Sequence, residues 1–217
     1  MGLVLLVRHG QASFGADDYD VLSETGWEQG RLLGSWLGER GVVPTALMHG
    51  GMRRQRDTAA AIAEAAGWPV TPVVDPGWDE FDHVGLVASY PNLPDDVDLS
   101  DRRAFQRLFD EATSHWTAGE PGEYAETYAD FESRVRGALD RAVAAAGSGE
   151  TVVVVSSGGP IAVACSALVD PEARLWQRFN TVIVNSSVTR VLVGSTGPRL
   201  LTFNEHPHLE GDHLTYR

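Results

Sequence analysis

The chain reads as an α/β protein: a three-layer αβα sandwich with a mostly parallel central sheet and a helical excursion. Three observations predict this. Short apolar runs alternate with helical spacings through most of the 217 residues. Polar, glycine-bearing clusters follow directly on the apolar runs, as at strand ends in open sheets. A hydrophobic content of 43% against 22% charged is enough for a sizeable core. The expectation is one domain spanning residues 1–217, with a loop and helical insertion at about 84–122.

Leu3 to Val7 is a continuous apolar run, the pattern of a strand buried on both faces, and it stops at Arg8-His9-Gly10. Thr25-Gly26-Trp27-Glu28 offers a capping box, and Trp27, Leu33, Trp36 and Leu37 keep helical spacing up to about Arg40. Thr45 to His49 is a second short strand, followed by Gly50-Gly51 and an alanine-rich helix from Arg53 through Ala66 that Gly67 stops. Pro69 to Val74 is a third strand. Asp75 to Ser100, with Pro76, Pro91, Pro94 and the acids Asp95, Asp96 and Asp98, reads as loop.

Two helical spacings come next, Phe105, Leu108, Phe109, Ala112 and Trp116, then Phe131, Val135, Leu139 and Val143 before Gly147. Thr151 to Val155 is the most strongly β-branched run and so a central strand. It leads through Ser156-Ser157-Gly158-Gly159-Pro160 into a helix from Ile161 to Val169, with Pro160 suited to a first turn. Val188 to Val193 and Arg199 to Phe203 close the sheet as a strand pair.

Asp+Glu 30 outweigh Lys+Arg 17 for a net charge of -13, and with no lysine every fixed cation is an arginine. A chain this acidic is not expected to bind nucleic acid, which needs a net basic face. The lone Cys165 cannot form an internal disulfide, the N-terminal apolar run is too short for a signal peptide, and no run reaches the roughly 18 residues of a membrane span. The expectation is a cytoplasmic protein with no membrane partner. Nothing in the sequence sets an oligomeric state. Neither a helical His-Glu-x-x-His nor paired cysteines occur, so no metal or other cofactor is expected.

Three polar clusters fall at strand ends: Arg8-His9-Gly10, Gly50 to Arg54, and Ser156 to Pro160. A fourth, Asp79-Glu80-Phe81-Asp82-His83, follows the third strand. One pocket could gather all four. A histidine between an arginine and a glycine can present a ring nitrogen to phosphorus while Arg8 neutralises phosphoryl oxygens. Taken alone, the triplet reads equally as a surface pair at a strand terminus. In Arg53-Arg54-Gln55-Arg56 the guanidiniums oppose the helix dipole, a conflict that a bound anion would relieve. Among Asp79, Glu80 and Asp82 the chemistry alone does not choose an acid.

Leu3-Val4-Leu5-Leu6-Val7-Arg8-His9-Gly10, Leu22-Ser23-Glu24-Thr25-Gly26 with Gln29, and Arg54 four residues before Thr58-Ala59 together resemble the histidine phosphatase, or phosphoglycerate mutase-like, superfamily. The resemblance spans the chain and includes Glu80 and Val155-Ser156-Ser157-Gly158-Gly159. It implies His9 as nucleophile through a phosphohistidine, Arg8 and Arg54 as phosphate ligands, and Glu80 as the acid for the leaving oxygen.

Two positions depart from the family pattern. Ser157 stands where the family typically has a second histidine, and Gly15 stands where an asparagine is common, unless Ser13 serves instead. Phosphate donors then fall to Ser157 and to the backbone near Gly158 and Gly159. His49, His83, His206 and His208 are candidates to compensate.

The implied activity is that of a phosphomonoesterase, at full or attenuated rate, acting on a small phosphorylated metabolite or phosphoprotein. The alternative is a phospho-ligand binding protein that has lost catalysis. A phosphoglycerate mutase fits less well, because Pro91 to Pro121 holds Arg102-Arg103 without the expected proline-rich stretch after it.

Overall fold

The computed structural model describes residues 1–13, 20–94, 101–170 and 175–216. They form two compact units, Met1–Glu80 with Val135–Arg217, and Phe81–Arg134. The expected insertion at about 84–122 falls inside the second.

The first unit holds the sheet. Its strands are β1 (Gly2–Arg8), β2 (Ala46–His49), β3 (Val73–Val74), β4 (Thr151–Ser156), β5 (Val188–Gly194) and β6 (Gly197–Glu205), in the order β3-β2-β4-β1-β5-β6. The first four run parallel, and β5 and β6 are antiparallel additions at one edge. The four-residue β2 and two-residue β3 lie at the other edge.

Strand pleating sends alternate residues of β1 and β4 to opposite faces. Leu5, Val7, Val153 and Val155 form a dry cluster with Leu33 and Leu37 of helix α1 (Glu24–Glu39) and Ala59 and Ile62 of α2 (Arg53–Ala66). The alternates Val4, Leu6, Val152 and Val154 are equally buried on the other face. Burial on both faces explains why these strands are continuous apolar runs. Each such side chain contributes about 1.5–3 kcal/mol relative to exposure.

Helix α1 is capped by Ser23, whose side chain accepts from the Gly26 N–H, rather than by the Thr25 capping box. The reason is local. A Cβ on Gly26 would stand 2.2 Å from the Gln11 carbonyl, and one on Gly10 would stand 2.3 Å from the Gly26 carbonyl. The start of α1 is thus pressed against the loop after β1, which only glycine permits. Helix α2 ends at Gly67 in the left-handed region, as its sequence predicts.

The third strand is far shorter than Pro69 to Val74. Pro69 and Pro72 lack N–H donors, and pairing begins only at Val73, with both strand residues exposed at the sheet edge.

The second unit corrects the reading of Asp75 to Ser100 as loop. A 3-10 turn over Pro76–Trp78, in the first unit, is followed here by the short helix α3 (His83–Ala88), which Asp82 caps. Residues 95–100, with the acids Asp95, Asp96 and Asp98, lie outside the described residues. Helix α4 (Arg102–Ala118) turns its aromatic side to Phe81 and Phe131, with ring centroids of Phe81 and Trp116 4.9 Å apart. Helix α5 (Tyr128–Ala145) begins here and ends in the first unit.

Helix α6 (Gly158–Val169) starts at Gly158 rather than Ile161, and the five-residue α7 (Trp176–Asn180) follows it. No described helix is long and apolar enough to cross a membrane.

Candidate active site

Strands β2, β4 and β1 lie side by side and parallel, so their carboxyl ends open on one edge of the sheet. In register, Arg8 pairs with Ser156, and His9 and Ser157 are the next residues at the two strand ends. The His9 N–H donates to the Ser156 carbonyl at 2.8 Å, and the Gly10 N–H donates to Thr58 Oγ1 at 3.0 Å. Thr58 in turn donates to the Arg54 carbonyl at 2.7 Å. The fixed spacing from Arg54 to Thr58 is one helical turn whose far end anchors the loop after β1.

His9 is 4% exposed. Its Nδ1 is 2.7 Å from the Gly10 carbonyl, which only accepts, so Nδ1 carries the proton. Its Nε2 is 3.1 Å from Arg54 Nε, which only donates, so Nε2 keeps its lone pair. These two bonds fix one neutral tautomer. Burial, then the charges of Arg54 and Arg8, holds the imidazole pKa well below its ordinary value.

The three arginines of α2 part company. Arg54 is 3% exposed, whereas the side chains of Arg53 and Arg56 are 51% and 58% exposed and meet Asp57. The Arg54 guanidinium donates to Asp20 at 2.8 Å. Asp20 also accepts from the backbone N–H of Arg53 at 2.7 Å and of Arg54 at 3.4 Å. An internal carboxylate therefore meets the dipole of α2, where the sequence suggests a bound anion. Arg8 donates to the carbonyls of Ile183 and Tyr216.

The three acids after β3 go to three places. Asp79 accepts from the Gly51 N–H, and Asp82 accepts from Gly85 at the start of α3. Glu80 accepts from the Gly159 N–H at 3.0 Å, in the first turn of α6. Ser157 is fully buried at the N-cap of that helix, makes no side-chain cap bond, and accepts from Gln55 Nε2 at 2.9 Å. Gly158 follows it, with Asn180 Oδ1 3.0 Å from where a Cβ would stand. His9, Arg8, Arg54, Glu80, Ser157 and Gly158 thus gather where β1, β4 and the starts of α2 and α6 meet.

The other histidines are spent elsewhere. His83 and His115 belong to the second unit, the latter 2.9 Å from the Tyr124 hydroxyl. His206 turns to the Asn204 carbonyl, and His208 lies against Trp36, where burial pulls its pKa down to about 4. His49 closes β2 and bonds to the Gly50 carbonyl. Trp78 and Phe81 are buried core residues. Gly15 lies outside the described residues, and Ser13 donates its N–H to Val21.

Four residues escaped the sequence reading. Asp20 and Gln55 are described above. Asn185 donates to the His9 carbonyl at 3.3 Å and accepts from Thr215 at 2.9 Å. Thr215 also accepts from the buried Gln29, whose Oε1 takes the Gln11 N–H. The arginine-rich helix start signals that a carboxylate is needed, since a buried guanidinium requires one, but it does not single out Asp20.

The site thus centres on a buried histidine at the end of a parallel strand, bonded to Arg54 and preceded by Arg8. The profile of the histidine phosphatase superfamily (branch 1) matches residues 4–206, and the chain belongs to that family. A search of curated protein sequences returns no significant match. Among solved structures, YhfR of Bacillus stearothermophilus superposes with TM-score 0.73 at 20% identity, covering 96% of this chain and 99% of that one. A phosphoserine phosphatase from Entamoeba histolytica gives 0.69 at 19% identity, over 97% and 100% of the two chains. A mycobacterial glucosyl-3-phosphoglycerate phosphatase gives 0.67 at 24% identity, over 94% and 99%. At these identities the likeness is one of fold.

Proposed function

We propose that the protein is a phosphomonoesterase that hydrolyses a small phosphorylated molecule or phosphoprotein through phosphohistidine at His9. The observation that carries this is the fixed tautomer of His9, protonated at Nδ1 and bare at Nε2. An incoming phosphoryl oxygen takes over the Arg54 Nε–H, which frees the Nε2 lone pair to attack phosphorus in line. The P–O ester bond breaks, and Glu80 protonates the leaving oxygen. Water then attacks the phosphohistidine as the Glu80 carboxylate takes its proton, the N–P bond breaks, and inorganic phosphate leaves. Arg8 and Arg54 stabilise charge on the transferring oxygens, with Ser157 and the backbone at Gly158 as further donors.

Serine in place of the second histidine of the family supplies a neutral donor where a cation is usual, and turnover is attenuated accordingly. The same substitution favours a second reading, a phospho-ligand binding protein without turnover. The glucosyl-3-phosphoglycerate and phosphoserine phosphatases of similar fold support a small phosphomonoester as ligand. The test is metal-free protein with an aryl phosphate, EDTA in a parallel sample, and an alkaline quench to trap phosphate on His9. Turnover with labelled His9, undiminished by EDTA, is the expected result. Tight phosphate binding with no label and no turnover would establish the binding protein instead.

A further inference from the structure

Gln55 is fully buried one residue after Arg54, and its side chain reads the site's hydrogen-bond polarity. Nε2 is 3.0 Å from the Trp78 carbonyl and 2.9 Å from Ser157 Oγ, and Oε1 is 3.4 Å from the Met52 N–H. The amide cannot be turned over, because Oε1 would then face the Trp78 carbonyl, and two acceptors repel. The NH2 group therefore faces Ser157, and Ser157 Oγ accepts. The Ser156 hydroxyl also donates to the Trp78 carbonyl, at 2.7 Å, so both lone pairs of that oxygen are taken.

The Ser157 proton must go elsewhere. No described residue accepts it, and the side chain makes no cap bond in its own helix. A buried hydroxyl proton with no acceptor costs free energy until a ligand takes it. Ser157 directly follows Ser156, which pairs with Arg8 and whose carbonyl accepts the His9 N–H at 2.8 Å. The Gln55 amide lies against Gly50, its Oε1 2.1 Å from where a Cβ on that glycine would stand.

We propose that Gln55 is a positioning residue that orients the Ser157 hydroxyl so that its proton is donated to an oxygen of the phosphoryl group carried by His9. The inference rests on the phosphoryl-binding reading of the site, not on turnover. Gln55 thereby couples the Arg54 end of α2 to the start of α6, and it makes the serine a directed donor instead of a rotating hydroxyl.

The experiment is a double-mutant cycle of Gln55→Met and Ser157→Ala, read by the affinity of the intact protein for orthovanadate and, where there is turnover, by kcat and KM separately. Each single change should weaken vanadate binding about 10-fold and lower kcat more than it raises KM, and the double variant should lose no more than either single one. Gln55→Leu removes the amide donor at similar volume, and it should match the loss of Ser157→Ala. A merely structural glutamine gives additive losses, or full affinity in Gln55→Leu, and either result overturns the proposal. Unchanged affinity in Ser157→Ala also overturns it, even if both Gln55 variants fail to fold. If the native protein binds no vanadate, the phosphoryl-binding reading itself falls and takes this inference with it.

Discussion

The ends of β1 and β2 are local copies of one another. His9 and His49 are each 4% exposed, each is followed by glycine, and each places Nδ1 against the next carbonyl, at 2.7 and 2.6 Å. What differs is the surroundings. His9 Nε2 meets Arg54, its carbonyl receives Asn185 and the Ser186 N–H, and Arg8 precedes it. His49 Nε2 meets no hydrogen-bonding partner among the described residues. What sets His9 apart from its copy is the cations and carbonyl anchors gathered round it, not its own backbone geometry.

The sharpest way to break this comparison is to remove each ring in turn. His9→Ala should lower phosphatase kcat by at least about 10⁴-fold, while His49→Ala should change it less than about 3-fold. Comparable losses in steady-state assays of the two variants would mean that the second strand end is also part of the chemistry.

A smaller effect is expected at the arginine. Arg54→Ala should slow turnover by about 10²- to 10³-fold and weaken vanadate binding, with Arg53→Ala and Arg56→Ala near native. If all three fall together in isothermal titration and kinetics, the helix start acts as a diffuse field rather than through one buried group.

Ser157→His tests whether position 157 accepts an imidazole. Ser157 is fully buried with Gln55 Nε2 2.9 Å from its Oγ, so the larger ring should crowd Gln55 and the single change should reduce stability and turnover. Ser157→His with Gln55→Ala should recover about 10-fold in kcat over Ser157→His alone. Thermal melts alongside kinetics check this, and a single variant faster than native would show the space to be available.

The gentlest probe is pH. Burial and the two arginines keep His9 unprotonated below its ordinary pKa of 6.5, so kcat/KM should show no acid limb from this ring at that value. Below 6.5 the unfolded chain binds a proton that the folded ring refuses. Stability from this group is therefore full above 6.5 and is lost as pH falls below it. A limb at 6.5 in the native profile would contradict this, and Arg54→Ala, which removes one lowering charge, should move the limb up toward 6.5.

Much of this was legible in the sequence because it depends on local pattern. The apolar runs of β1 and β4, the glycine stop of α2 and the Arg8-His9-Gly10 triplet are written in consecutive residues. The over-long third strand shows where local pattern misleads. Pro69 to Val74 has strand-like residues, but an edge position with two prolines leaves two residues to pair. Helix α3 lay hidden among turn formers, since Asp82 caps it and only six residues follow. At the site, Arg54 could be chosen by its spacing to Thr58. Asp20 and Gln55 could not, because their partners lie 34 and 102 residues away.

Helix α6 carries one more consequence. From Gly158 to Ser166 every residue is buried, so its first turn has no exposed side from which to fray. Amides in such a segment exchange with deuterium only when the whole core opens. The donors beside Ser157 should therefore exchange only with global unfolding, so that the site is lost in a single cooperative event rather than by gradual loosening.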